Sequence, residues 1–183
     1  GPLSLRMLQH LAIMNVAAPL AAAWLQSRSS NGGSRSLALA GVVQMLLLWA
    51  WHVPAVQTGL SQHPIAELST ALLMLAAAIA FWRGVLSAGE AGRWSGVGAL
   101  LVTGKLACLL GALLVFSGRD LYAGASFAWC GSGTSTLADQ QLAGLLMITA
   151  CPLSYLIAGT TMASHLLRTL DDRLPADVVP APR

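Results

Sequence analysis

Apolar positions in this chain come in long unbroken blocks rather than in short alternations with polar ones. Runs from about Met7 to Leu25, Leu37 to Val53, Glu67 to Leu86, Gly96 to Phe116 and Asp139 to Leu167 approach or exceed the roughly 20 residues that carry a helix across a bilayer. The second run is short, and Pro54 is expected to stop it because proline has no N–H to give. The fifth is long, and Cys151-Pro152 predicts a kink within it. The pattern predicts an all-α, polytopic transmembrane helix bundle of about five spanning helices. Residues 1–170 form a single membrane domain, and residues 171–183 form a polar, Pro-containing tail. The chain begins Gly1-Pro2 without a methionine, which leaves room for an upstream helix, and its first run lacks the cleavage site of a signal peptide.

Composition sharpens this picture. Of 183 residues, 56% are hydrophobic and 9% charged, against about 25% charged in an average soluble domain. The lipid bilayer is therefore the first partner. The net charge of +3 is spread along the connecting segments, so no nucleic-acid partner is expected. Three widely spaced cysteines make neither a zinc pattern nor a disulfide framework. The chain has no phosphate loop, no nucleophile elbow, no paired membrane carboxylates and no helix with two histidines to clamp haem. No enzymatic activity is expected.

Arginine placement sets the orientation. Arg28 and Arg35 lie in the first connection, Arg83 and Arg93 flank the third, and Arg168, Arg173 and Arg183 follow the last helix. The second and fourth connections carry only Arg119. The arginine-rich side should be the cytoplasm, which puts the C-terminus inside and the N-terminus outward; Arg6 opposes this weakly. The fourth connection, about Ser117 to Ala138, holds Tyr122, Trp129 and Cys130, and aromatics there fit an interfacial belt.

Several candidate groups converge on the expected outer end. Met7, His10 and Met14 share one face of the first helix at i, i+3 and i+7, and thioether with imidazole suits Cu(I); ordinary packing is the competing reading. His52 ends the second run within Trp51-His52-Val53-Pro54, and His63 follows in the connection. Asp139, Gln140 and Gln141 open the fifth run. Asp139 can cap its own helix there, and three such polar groups should face protein or a wet cavity rather than lipid. Lys105 lies near the middle of the fourth run, too deep to snorkel, and is expected to point into the bundle. Asn15, Gln44, Thr103 and Thr149 sit at comparable depth as partners, so either a functional site or a structural hydrogen-bonded layer is open there.

Met7-x-x-His10, Trp51-His52-x-Pro54, Phe81-Trp82, Leu110-Gly111-Ala112-Leu113-Leu114-x-Phe116, Leu121-Tyr122 and, most specifically, Asp139-Gln140-Gln141-Leu142-Ala143-Gly144 occur in the order seen in one family. The chain resembles the CtaG family of cytochrome c oxidase assembly factors found with caa3-type oxidases. The resemblance implies a multi-pass protein of the bacterial inner membrane that helps build a haem–copper oxidase, in a context connected with copper. It also exposes departures. Arg6 stands where the family's first histidine belongs, Thr70 and Ala71 replace a Glu-His pair, and Lys105 and Leu106 fall where a histidine is often found.

Two readings follow. In the first, the protein binds or passes copper at its periplasmic face, with His10, His52, Met7 and Met14 as ligands and Asp139 and Gln140 orienting them. In the second, it is a non-catalytic accessory subunit bound stably to a respiratory oxidase or supercomplex. Weaker is a solute or ion passage through the Lys105 layer. The orientation has a direct check. A membrane-impermeant thiol reagent applied from outside should modify Cys130 and a cysteine introduced at His63, and should spare one introduced at Ser30. Modification at Ser30 in intact cells would reverse the topology.

Overall fold

The computed structural model describes residues 1–26, 34–61, 63–89, 92–123 and 135–171. All regular structure among them is helical: α1 (Pro2–Gln26), α2 (Ser34–Trp51), α3 (Pro54–Ser61), α4 (Pro64–Leu86), α5 (Arg93–Phe116) and α6 (Leu137–Asp171). Four of these are long and apolar enough to cross a membrane, and a fifth crossing is made if α2 and α3 count as one bent span. The protein is thus a multi-pass membrane bundle, with its apolar runs where the sequence pattern put them. Trp129, Cys130, Arg28, Ser30 and all but the first residue of the 171–183 tail lie outside the described residues, as does the Arg35 side chain.

Local chemistry explains what the chain does at its two mid-run prolines. The second helix stops at Trp51, ahead of Pro54 as expected, and the chain then resumes as a new helix. Without an N–H, and with Val53 disfavoured from helical geometry ahead of it, the chain turns by 78° and proline opens α3. Pro152, where a kink is expected, lies inside α6, which continues helically through it. Within α1 a single wide π turn, Ile13–Ala17, lets Leu3, Met7, Leu11, Met14, Ala18 and Ala22 all stay buried. The Met14 carbonyl on that turn accepts from the Trp82 indole at 3.2 Å.

The first half of α1 packs on α6 and its second half on α4, while α2 lies against α4 and α5. The closest pairing is α5 with α6, and glycine permits it. A Cβ on Gly144 would come within 2.7 Å of the Gly111 carbonyl oxygen, so only hydrogen fits where these backbones touch. Buried positions on α5 are Gly96, Leu100, Thr103, Gly104, Ala107, Leu110, Gly111 and Leu114, a stripe with a period near 3.5. In the interior, Phe81, Trp82 and Tyr155 form an aromatic layer, and the Gln44 amide donates to the Tyr155 hydroxyl at 2.9 Å.

Candidate functional site

The first turn of α6 holds one end of the bundle together. Its own amides are met locally, with Thr136 Oγ1 accepting from the Asp139 N–H at 3.2 Å. That releases the Asp139 carboxylate to cap a different helix. It accepts from the Leu3 N–H at 2.8 Å and the Ser4 N–H at 3.1 Å, two orphan donors of α1 at the positive end of that helix. The sequence reading placed Asp139 as the cap of its own helix; the preceding threonine takes that task.

Gln140, wholly buried, performs the complementary task. Its Nε2 donates to the carbonyls of Leu114 at 3.1 Å and Arg119 at 3.2 Å, and its Oε1 accepts from the Leu121 N–H at 2.8 Å. It thereby closes the C-terminal end of α5 and the turn beyond. Gln141 is exposed and reaches the Val115 carbonyl at 3.4 Å.

The turn that Gln140 fixes carries Tyr122 inward. Expected as a belt aromatic, Tyr122 is instead 2% exposed, and its hydroxyl donates to the His52 carbonyl at 2.7 Å. Burial pushes its phenol up to about 12, so it stays a donor at any physiological pH. The bend between α2 and α3 is pinned by this bond. There the His52 Nδ1 lies 2.7 Å from the Leu48 carbonyl. A carbonyl can only accept, so Nδ1 carries the proton and Nε2 keeps its lone pair. That Nε2 is buried without a hydrogen-bond partner among the described residues.

His10 meets this bend from α1. Its ring stacks on Trp51 at 4.9 Å and stands edge-on to His52 at 6.3 Å between centroids. The His10 Nε2 is likewise buried and unpartnered. Beside the stack, the Arg6 guanidinium lies over Trp51 at 5.3 Å and pairs with Glu67 at 2.6 Å. A cavity of about 440 Å³ opens here between α1, the end of α2 and α4, lined by Arg6, Gln9, His10, Trp51, Glu67 and Met74 among others.

The sequence-predicted groups divide accordingly. His10 and His52 come together. Met7 and Met14 are buried in the hydrophobic core and do not line the cavity; the thioether that does is Met74, which nothing in the sequence joined to His10. Glu67 was also missed, although a buried arginine, Arg6, directly before the first apolar run asks for an acid opposite. His63 stays exposed at the start of α4. Lys105 departs most from expectation. It lies on the exposed side of α5, because the small-residue stripe turns Thr103 and Ala107 inward and a residue two positions away points about 200° around. Its presumed partners are engaged elsewhere: Asn15 accepts from Ser154 at 2.7 Å, and Thr149 bonds its own helix. Among the described residues no three of His, Cys, Asp and Glu gather as a metal centre.

Gln140 and Gln141 offer a matched test of the junction. Gln140→Leu strands a buried N–H and two carbonyls, and should cost about 2–3 kcal/mol of stability. Gln141→Leu should stay within about 0.5 kcal/mol of the parent. Thermal unfolding in detergent compares them, and equal midpoints would remove the role assigned to Gln140.

Residues 22–169 match the model of the cytochrome c oxidase caa3 assembly factor family. The matched stretch contains His52, Lys105 and the Asp139-Gln140-Gln141 block, and begins after Met7, His10 and Met14. No curated protein and no solved structure matches the chain.

Proposed function

Because the chain belongs to the cytochrome c oxidase caa3 assembly factor family, we propose that it serves the building of a haem–copper oxidase by holding Cu(I) transiently between His10 and His52 and passing it on. The copper is cargo, and the role is not catalytic. One observation carries the reading: two buried imidazoles 6.3 Å apart, each with an Nε2 that no described group satisfies. Buried polar atoms in native proteins are overwhelmingly paired; other buried atoms, such as both Gln57 amide atoms, also lack a partner among the described residues, but these two belong to adjoining rings beside a cavity and so suit a shared occupant. His52 also has the arrangement of a metal ligand, its Nδ1 proton tied to a backbone carbonyl and Nε2 left to bind.

The surroundings suit a soft, loosely held ion. Imidazole nitrogens with a thioether in the adjoining cavity favour Cu(I) over hard cations, and Met74 is that thioether. Arg6 alone would repel a cation, but Glu67 neutralises it. Two strong ligands and a nearby guanidinium give weak binding, as delivery requires. The arginine distribution favours placing this end on the periplasmic face of the bacterial inner membrane, where an oxidase subunit would collect the ion.

Cu(I) titration against a competing chelator tests the reading. The wild type should bind near one equivalent, and His10→Ala/His52→Ala should lose it while circular dichroism stays unchanged. Met7→Leu should bind as the wild type does. If neither wild type nor mutant binds, the histidines are packing residues. The same guanidinium and the missing third ligand then favour the stable accessory subunit.

A further inference from the structure

The exposed side of α5 presents a physical anomaly unrelated to the histidines. Lys105 lies 12 residues after Arg93 and 11 before Phe116, about 18 Å and 16 Å from the two ends at 1.5 Å per residue. A lysine side chain spans only about a third of that distance, so its ammonium cannot reach either interface. It makes no hydrogen bond or ion pair with any described residue. Around it the surface is wholly apolar: Leu101, Val102, Leu109 and Leu113 are each at least half exposed. An ammonium left in hydrocarbon is costly, and such groups are found paired or facing water.

We propose that this side of α5 docks a membrane-spanning helix of a different protein, one that carries an Asp or Glu near its centre, and that Lys105 pairs with that carboxylate. The charge defines the partner. Among the described residues, Glu67 and Asp139 lie in first turns, Asp171 ends α6 and Asp120 follows α5, so none of these offers a second copy a carboxylate at that depth. A symmetric dimer on this face would also set two ammonium groups against each other. Shape supports the same surface. Gly98 precedes Lys105 by two turns on the same side, and a Cβ there would meet nothing within 4 Å. It leaves a notch where a second helix can approach closely. Removing an interhelical polar pair in a membrane weakens association by roughly tenfold.

Site-specific photo-crosslinking in native membranes provides the test. Benzoylphenylalanine is placed at Leu109, one turn from Lys105, and at Leu72, exposed on α4, for background. The Leu109 probe should join a second protein through a spanning helix with a central Asp or Glu, identified by mass spectrometry. Its yield should fall about tenfold with Lys105→Met and persist with Lys105→Arg. Overturning results are adducts with lipid only, with a second copy only, or with a helix lacking a central acid. A yield that Lys105→Met does not change would overturn it equally. Since Lys105 is exposed, Lys105→Met should leave the unfolding midpoint unaltered. Copper binding by this variant should also be intact, which separates the docking face from the histidine site.

Discussion

Backbone groups at helix ends have few partners within a membrane bundle, since water is scarce and each unsatisfied group is costly. This protein meets that constraint at one end with two adjacent side chains. Asp139 accepts from the first amides of α1, and Gln140 caps the end of α5 and the turn after it. Four helices become linked as a result. The Gln140-held turn delivers Tyr122 to the His52 carbonyl, which fixes the α2–α3 bend, and the bend presents Trp51 and His52 to His10 on the helix that Asp139 has capped. Gly144, one turn further along α6, lets α5 lie close enough for Gln140 to reach it.

Much of this was legible in the chain. Block hydrophobicity located every span, and Trp51-His52-Val53-Pro54 marked a place where backbone geometry had to change. What escaped was direction around a helix axis. In an apolar membrane helix the hydrophobic pattern is nearly uniform, so depth can be read but facing cannot. Lys105 illustrates the point. Its depth was plain, while its facing depended on Gly96, Gly104 and Gly111, whose small size decides which side α6 can approach. Read as a stripe, those glycines would have turned Lys105 outward. Met74 and Glu67 were missed for another reason. They meet His10 and Arg6 only through tertiary packing of α4 on α1, more than 50 positions away in the chain.

The polar features differ in how fully the protein itself satisfies them. Every hydrogen-bonding atom of the Asp139 and Gln140 side chains that holds the junction is satisfied by backbone, as expected of groups that hold a fold. The His10 and His52 Nε2 atoms are buried without a partner among the described residues, as are Gln44 Oε1 and both amide atoms of Gln57, and the ammonium of the exposed Lys105 pairs with no described residue. The two imidazoles adjoin a cavity, on which the copper proposal rests, and the single ammonium lies on the exposed side of α5, on which the docking proposal rests. The family is shown by the match over residues 22–169; in this member the Asp139 and Gln140 contacts hold one end of the bundle together.

The copper content of the terminal oxidase made in cells tests the assembly claim most directly. The oxidase is purified from cells carrying wild-type protein or His10→Ala/His52→Ala, grown at limiting copper, and metal is measured against haem. The expected result is an oxidase with normal haem and depleted copper in the double mutant, restored when copper is supplied in excess. A fully copper-loaded oxidase in the double mutant at limiting copper would contradict it.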